Sequence, residues 1–295
     1  MPLRQIKEAG ARRLFQALTV ASCFLVLPLV VGLYIRARPV LAAESLGGIL
    51  FSQEWSPLQG RFGMFPFLVG TVYVTALAML IAAPISLLTA VYLSEYAPRG
   101  LCRAVLPLID LLSGIPSVIY GVWGILLIVP ALARVATAIG SFSSGYCLLA
   151  GAIVLAIMIA PFMIHVSREV LAAVPQGIRD ASLSLGATKW QTVKFVVLRR
   201  AFPGIVAALV LGLSRAFGET IAVLMVVGNV PMIPRSVLDP AYPLPALLAN
   251  NYGEMMSMPL YDSALLFAAL LLLVVVVLFN LAAKAALSLV RSEGA

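Results

Sequence analysis

Hydrophobic positions along this chain come in long blocks, and each block has the length that a bilayer demands. About 20 consecutive apolar residues make a helix that crosses the hydrocarbon core. Blocks of that kind fall at about 14–35, 65–93, 104–132, 146–165, 204–227 and 263–283. The pattern predicts an all-α membrane protein with six transmembrane helices. Two stretches break the regularity: a strongly polar insert at 168–203, and a charged pair, Arg215 and Glu219, inside the fifth block.

Composition supports the membrane assignment. Hydrophobic residues make up 62% of the 295 and charged residues only 11%, whereas about a quarter are charged in soluble domains. The net charge of +8 would suggest nucleic acid in a soluble chain. Here the basic residues flank the apolar blocks, so topology accounts for them. Lipid, not nucleic acid, is the expected surrounding.

The first block follows Arg4, Lys7, Arg12 and Arg13. A cleaved signal peptide is the competing reading. The block is longer than the apolar region of such a peptide, so it reads as an uncleaved anchor. Residues 37–64 then read as a polar loop along the outer interface, with Trp55, Pro39 and Pro57. The chain divides into an anchor and loop at 1–64 and a transmembrane domain at 65–288. The third block contains Gly114-Ile115-Pro116-Ser117. Proline removes a backbone donor and kinks a helix, so this span is expected to face protein or water, not lipid alone.

Six spans put both termini on one side. The terminal segments, the loop after the second span and the insert hold 14 of the 20 Lys and Arg residues, and the opposite side holds 5. The positive-inside rule then places both termini and the insert in the cytoplasm of a multi-pass inner-membrane protein.

The insert carries Arg168, Arg179, Lys189, Lys194, Arg199 and Arg200. Pro175 and Gly177 are expected to end the helical extension of the fourth span. Residues 178–185 suffice for about two turns, and Gly186 suits a left-handed C-terminal cap. Thr188-Lys189-Trp190-Gln191 reads as a capping box, in which Thr and Gln satisfy each other's free amides. The prediction is a helix, a glycine turn and a new helix, with Leu183, Leu185 and Trp190 near the tip. Chemistry alone leaves a docking knob and an ordinary amphipathic loop equally open.

Arg215 and Glu219 are expensive in a bilayer, roughly 2.5–3.5 kcal/mol each at its centre. Spacing of four places both on one helix face. Gly204, Ala208, Gly212 and Ala216 form a small-residue stripe beside them that lets another helix approach. The pair is therefore expected to point into the bundle or a wet cavity. It either serves assembly by mutual neutralisation or lines an anion path, where a guanidinium matches phosphate-type oxygens. Ser117 and Asn229 are further candidates for the path lining. Glu95, Asp110 and His165 read as interfacial groups at span ends.

Nothing marks an enzyme. The chain has no G-x-x-x-x-G-K-[ST] phosphate loop and no Ser/His/Asp set. One histidine and three unpaired cysteines, Cys23, Cys102 and Cys147, make no metal-ligand pattern, and these cysteines read as small buried hydrophobes.

Asp180-Ala181-Ser182-Leu183-Ser184-Leu185-Gly186-Ala187, with Leu198 beyond it, resembles the conserved cytoplasmic loop of the membrane subunits of binding-protein-dependent ABC importers. Departures are Asp180 at the acidic position, Ser182 for the second alanine and Arg199 where the family has proline. Gln53-Glu54-Trp55-Ser56-Pro57, Gly114 to Gly121, Arg215 to Thr220 and Gly228-Asn229-Val230-Pro231 resemble the phosphate permease subunits within that family. The resemblance implies a type I ABC importer transmembrane fold. It implies that the loop at 168–202 couples to a cytoplasmic ATPase dimer through Asp180, Ala181, Ser182, Leu183, Leu185, Gly186, Ala187 and Trp190. It further implies a second permease subunit, a periplasmic phosphate-binding protein, and ATP with magnesium bound by the ATPase. Another oxyanion, such as molybdate or sulfate, is the alternative cargo, and an ion-coupled secondary transporter is the alternative class.

Overall fold

The computed structural model describes residues 3–254, 258 and 260–292. Helices α1 (Leu3–Phe24) and α2 (Val26–Ala43) open the chain. A short helix α3 (Leu46–Phe51) and a small hairpin, β1 (Trp55–Ser56) with β2 (Arg61–Phe62), follow. Then come α4 (Phe65–Val91), α5 (Arg99–Gly114), α6 (Ser117–Trp123), α7 (Val129–Ala138) and α8 (Leu148–Ala172). The insert forms α9 (Gln176–Ser184) and α10 (Lys189–Gln191), and α11 (Leu198–Gly218) continues from it. Helices α12 (Ile221–Leu224), α13 (Leu244–Asn251) and α14 (Tyr261–Ser292) complete the order. Six helical stretches are long and apolar enough to cross a membrane: Gly10–Ala43, Phe65–Tyr96, Ser117–Ala138, Leu148–Ala172, Lys189–Gly218 and Tyr261–Ala285.

The most buried of the six is α8, and α4 and α11 both pack against it. The small-residue stripe of α11 makes the second contact possible. A Cβ built on Gly212 would lie 2.7 Å from Met163 Cγ, and one on Gly204 would collide with Val170 Cγ1. Ala208 and Ala216 of the same stripe are buried. On the other flank α2 packs on α14. Trp55, Phe62, Phe67, Tyr242 and Tyr261 form an aromatic cluster between the hairpin, α4, the loop before α13, and α14.

Several boundaries differ from the sequence pattern. The stretch 37–64 is not a simple polar loop, because α2 runs on to Ala43 and α3 and the hairpin fill the remainder. The third span starts at Ser117, not near 104. Residues 99–114 form a separate helix whose Arg99, Arg103 and Asp110 recur at helical spacing, which gives it a polar face. The separation is a full break, not a kink. The residue before a proline is pushed out of the α region, and Ile115 is extended (φ −67°, ψ 130°). The Tyr120 hydroxyl then bridges the break by donating to the Leu112 carbonyl at 2.7 Å. Gly177 lies inside α9 instead of ending a helix. The long stretch 228–262 contains α13, whose Leu244, Pro245, Ala246 and Leu247 are buried. A non-spanning segment at that depth needs its polar groups satisfied by protein. Thr71 Oγ1 supplies this, accepting from the Leu244 amide at 2.8 Å. Cys147 is buried and Cys102 half-buried, both as free thiols, while the Cys23 side chain lies outside the described ones.

The α8–α11 contact yields a first expectation. Gly212→Val would force extra volume against Met163, at a cost of about 1–3 kcal/mol. Thermal unfolding of the purified chain should therefore start at lower temperature than in wild type, whereas Gly100→Ala, which meets nothing within 4 Å, should change it little.

Candidate functional site

The insert is built from local hydrogen bonds. Helix α9 ends in a Schellman motif: the Gly186 amide donates to Leu183 O at 2.9 Å and the Ala187 amide to Ser182 O at 3.3 Å. Gly186 has φ +85°, a conformation that favours glycine. Two residues on, the capping box closes. The Thr188 amide donates to Gln191 Oε1 at 2.8 Å and the Gln191 amide to Thr188 Oγ1 at 3.3 Å. From Lys189 the helix continues for 30 residues to Gly218, with an i→i+5 segment at Thr192–Val197. Ser182 and Thr192 hydroxyls lie 2.9 Å apart and tie α9 to that segment. At the tip Leu185 is 89% exposed, Trp190 59% and Leu183 46%. Asp180 and Ala181 are also exposed, Ser182 and Ala187 half-buried. Such an apolar tip on a polar knob is a surface that a protein partner can cover.

An ion pair that the sequence pattern does not reveal holds this knob in place. Arg179 Nη2 lies 2.7 Å from Glu95 Oε1, and Arg179 Nε donates to Glu95 Oε2 at 3.2 Å. The same guanidinium donates to Leu171 O at 2.9 Å and to Val174 O, carbonyls at the end of α8 and just beyond it. The two side chains keep only 12% and 7% of their exposure. Glu95 is thus a buried anchor, not an interfacial group. Nothing in residues 91–97 marks it, since an acid at a span end is cheap; a basic residue in the insert with an unsatisfied span end nearby is the only available cue.

Arg215 and Glu219 do not share a helix face. Helix α11 stops at Gly218 and Glu219 is extended (φ −75°, ψ 126°). Glu219 Oε1 instead accepts from the Ala222 amide at 3.2 Å and caps α12. Polar side chains of this kind compete with the helix for backbone donors, which explains why the apolar block breaks here. Among the described residues no ion pair involves Arg215. Its guanidinium lies 5.2 Å over the Phe162 ring, within electrostatic reach of Tyr120, and the residue is exposed on the chain's surface. It therefore faces outward from this chain's own bundle instead of into it. Ser117 is the half-buried first residue of α6. Asn229 has φ 54° and donates through Nδ2 to Leu224 O at 2.8 Å, a turn-forming task. No hydrogen bond joins Arg215, Glu219, Ser117 and Asn229 to one another among the described residues. Asp110 pairs with His165 Nδ1 at 3.4 Å, and Glu169 with His165 Nε2 at 3.2 Å, so these three link α5 to α8.

Residues 82–291 match the model of the binding-protein-dependent transport system inner membrane component family. The chain belongs to that family. Membership makes it a multi-pass inner-membrane subunit of an ABC importer and implies an ATPase, a substrate-binding protein and a second permease as partners. The chain is 37% identical to the phosphate transport system permease protein PstC of Xylella fastidiosa, covering 89% of this chain and 86% of that one. It is 34% identical to PstC of Mesorhizobium japonicum over 99% of this chain and 95% of that one. The probable ABC transporter permease protein YqgH of Bacillus subtilis is 36% identical over 85% of this chain and 81% of its own length. Among solved structures, the inward-facing MetNI methionine ABC transporter aligns with a TM-score of 0.60 at 23% identity, over 80% of this chain and 99% of that chain. A bacterial alginate ABC transporter aligns with a TM-score of 0.63 at 17% identity, over 94% of each chain. These likenesses establish the type I importer fold.

The buried pair generates a sharp expectation. Removing one partner of such a pair costs about 3–5 kcal/mol. Arg179→Met alone and Glu95→Leu alone should each lower the unfolding temperature, while the double variant should recover part of the loss. A double variant that is destabilised by the full sum of the two would show that the residues are not coupled.

Proposed function

We propose that this chain is one of two membrane subunits of an ATP-driven importer of inorganic phosphate. The observation that carries the reading is similarity to PstC chains over nearly the whole length. The Arg215 guanidinium, exposed on α11 and without an ion pair among the described residues, supports it, because a planar fork of donors matches the oxygens of a tetrahedral anion. The second permease is PstA-like, and its face meets the surface that carries Arg215, so that the anion passes between the two subunits. The excess of basic residues puts both termini and the insert in the cytoplasm. A periplasmic protein delivers phosphate from the opposite side. ATP and magnesium are bound by a cytoplasmic ATPase dimer, and this chain contributes no catalytic group.

In this reading Leu183, Leu185 and Trp190 seat in the ATPase, with Asp180, Ala181, Ser182, Gly186 and Ala187 shaping the seat. Closure of the ATPase dimer moves the knob, and the helix from Lys189 to Gly218 carries that movement to Arg215. The two states are biased by ATP on one side and by the loaded binding protein on the other. A guanidinium alone does not distinguish phosphate from sulfate or molybdate, so the deciding experiment is ATP-dependent uptake by the reconstituted complex with those anions as competitors. Phosphate should be the anion taken up, and the other two should compete weakly.

Two variants test the parts separately. Arg215→Ala should lower uptake about tenfold or more, because a hydrogen bond to a charged group contributes about 1.5–3 kcal/mol, while the complex still copurifies; wild-type uptake would remove Arg215 from the path. Gly186→Trp disturbs the left-handed turn at the tip and should reduce the ATPase recovered with the membrane subunits. An unchanged yield of intact complex would count against the docking role.

A further inference from the structure

Behind α9 lies a cavity of about 570 Å³ where four elements meet. Ser94 and Glu95 line it from the end of the second span, Arg168 from the last turns of α8, Gln176 and Arg179 from α9, and Lys189 from α10. Three cations face one acid. Glu95 is taken by Arg179, with Ser94 Oγ also donating to Glu95 Oε1 at 3.3 Å. That leaves Arg168 and Lys189 without an ion-pair partner among the described residues. Lys189 Nζ rests 4.8 Å from the Tyr96 ring centroid. Arg168 has no hydrogen bond or ion pair among the described residues, and its Nε is fully buried with no partner. A buried donor left in that condition costs about 1–3 kcal/mol, and more when charged.

Arg168 also lines the cavity, and an acceptor with several oxygens around one centre suits its cationic fork. It can receive from the Arg168 fork and still reach the Lys189 ammonium, which a single carbonyl does not do. We propose that this cavity is a binding site for a phosphate-type oxyanion, with Arg168 as its principal ligand and Lys189 as the second charge. The site is separate from Arg215, which lies at the far end of the helix that starts at Lys189. Its occupant bridges α8 and α10, the two elements on either side of α9, and so stiffens the knob against the second span. The proposal does not depend on which solute the importer moves. The oxyanion has two sources: a free anion in the surrounding solution, or the headgroup of an anionic phospholipid at the membrane surface.

Tungstate is the probe, a tetrahedral oxyanion heavy enough to be located directly in the structure of the complete complex. A tungstate peak is expected in the cavity beside the Arg168 guanidinium in the wild-type complex. It should be lost in Arg168→Gln and weakened in Arg168→Lys, which keeps the charge but not the fork. Complexes in phosphatidylcholine discs, with and without phosphatidylglycerol, separate the sources. A peak indifferent to phosphatidylglycerol assigns a soluble anion; a peak replaced by lipid density assigns the headgroup. The wild-type arms decide the matter even where a variant does not assemble. Absence of both densities, a peak that survives Arg168→Gln unchanged, or a carboxylate of the ATPase seated on Arg168 overturns the proposal.

Discussion

Arg179 and Glu95 are 84 residues apart, and their buried contact ties the insert to the end of the second span. The guanidinium closes the end of α8 through the Leu171 and Val174 carbonyls while its fork grips the carboxylate at the end of the second span. Neither residue is tolerable alone in that location, since an uncompensated buried charge is far more costly than an exposed one. One side chain therefore performs three tasks: it terminates a helix, starts the next in register, and fixes both to a neighbour. Beside it, the Ser182–Thr192 contact ties α9 to the following helix, and the apolar packing of Leu171, Val174, Val193 and Val197 joins the elements on either side of α9.

That anchoring fixes the knob to its neighbours. Helix α9 is held on one side by Arg179 and on the other by the turn at Gly186, so it moves with its neighbours instead of flexing by itself. The capping box at Thr188 restarts the helix at once, and 30 residues follow without an end, which at 1.5 Å per residue spans about 45 Å. The i→i+5 segments at Tyr92–Tyr96 and Thr192–Val197 both lie beside the knob. Such segments loosen the regular ladder locally and are frequent at functional sites. Beyond them the stripe of Gly204, Ala208, Gly212 and Ala216 sets α11 close against α8, where a Cβ on Gly212 would already collide with Met163. The knob is thus joined to a packed helix pair with no loop between them.

Features encoded within a few residues of one another were legible in the sequence. Gly186 and the Thr188–Gln191 box are local chemistry, and both turns form where the pattern places them. The six apolar spans were legible for the same reason, as bilayer length acts on each block separately. What escaped depends on partners distant in the chain or on competition between local signals. The Glu95–Arg179 pair needs two elements brought together by packing. The break at Ile115–Pro116 turned an apparent long span into an amphipathic helix and a span, because the backbone restriction before proline prevailed over hydrophobic continuity. At Gly218 the Glu219 carboxylate found the Ala222 amide, so a spacing that promises an i, i+4 pair on an ideal helix had no helix to sit on.

The last of these differences changes the chemistry of the site. Had α11 continued, Glu219 would have neutralised Arg215 one turn away, leaving a dipole and not a charge. Because the helix ends at Gly218, the acid is spent on the amide of Ala222 and the guanidinium stays cationic beside Phe162. A cation in the last turn of a helix is favoured by the partial negative charge of the helix end, and the ring face beneath it adds a further attraction without occupying its N–H donors. Arg215 is thus stabilised by contacts that leave its hydrogen-bonding fork available. The same helix termination that defeats the simple spacing argument leaves the Arg215 guanidinium without an acidic partner among the described residues.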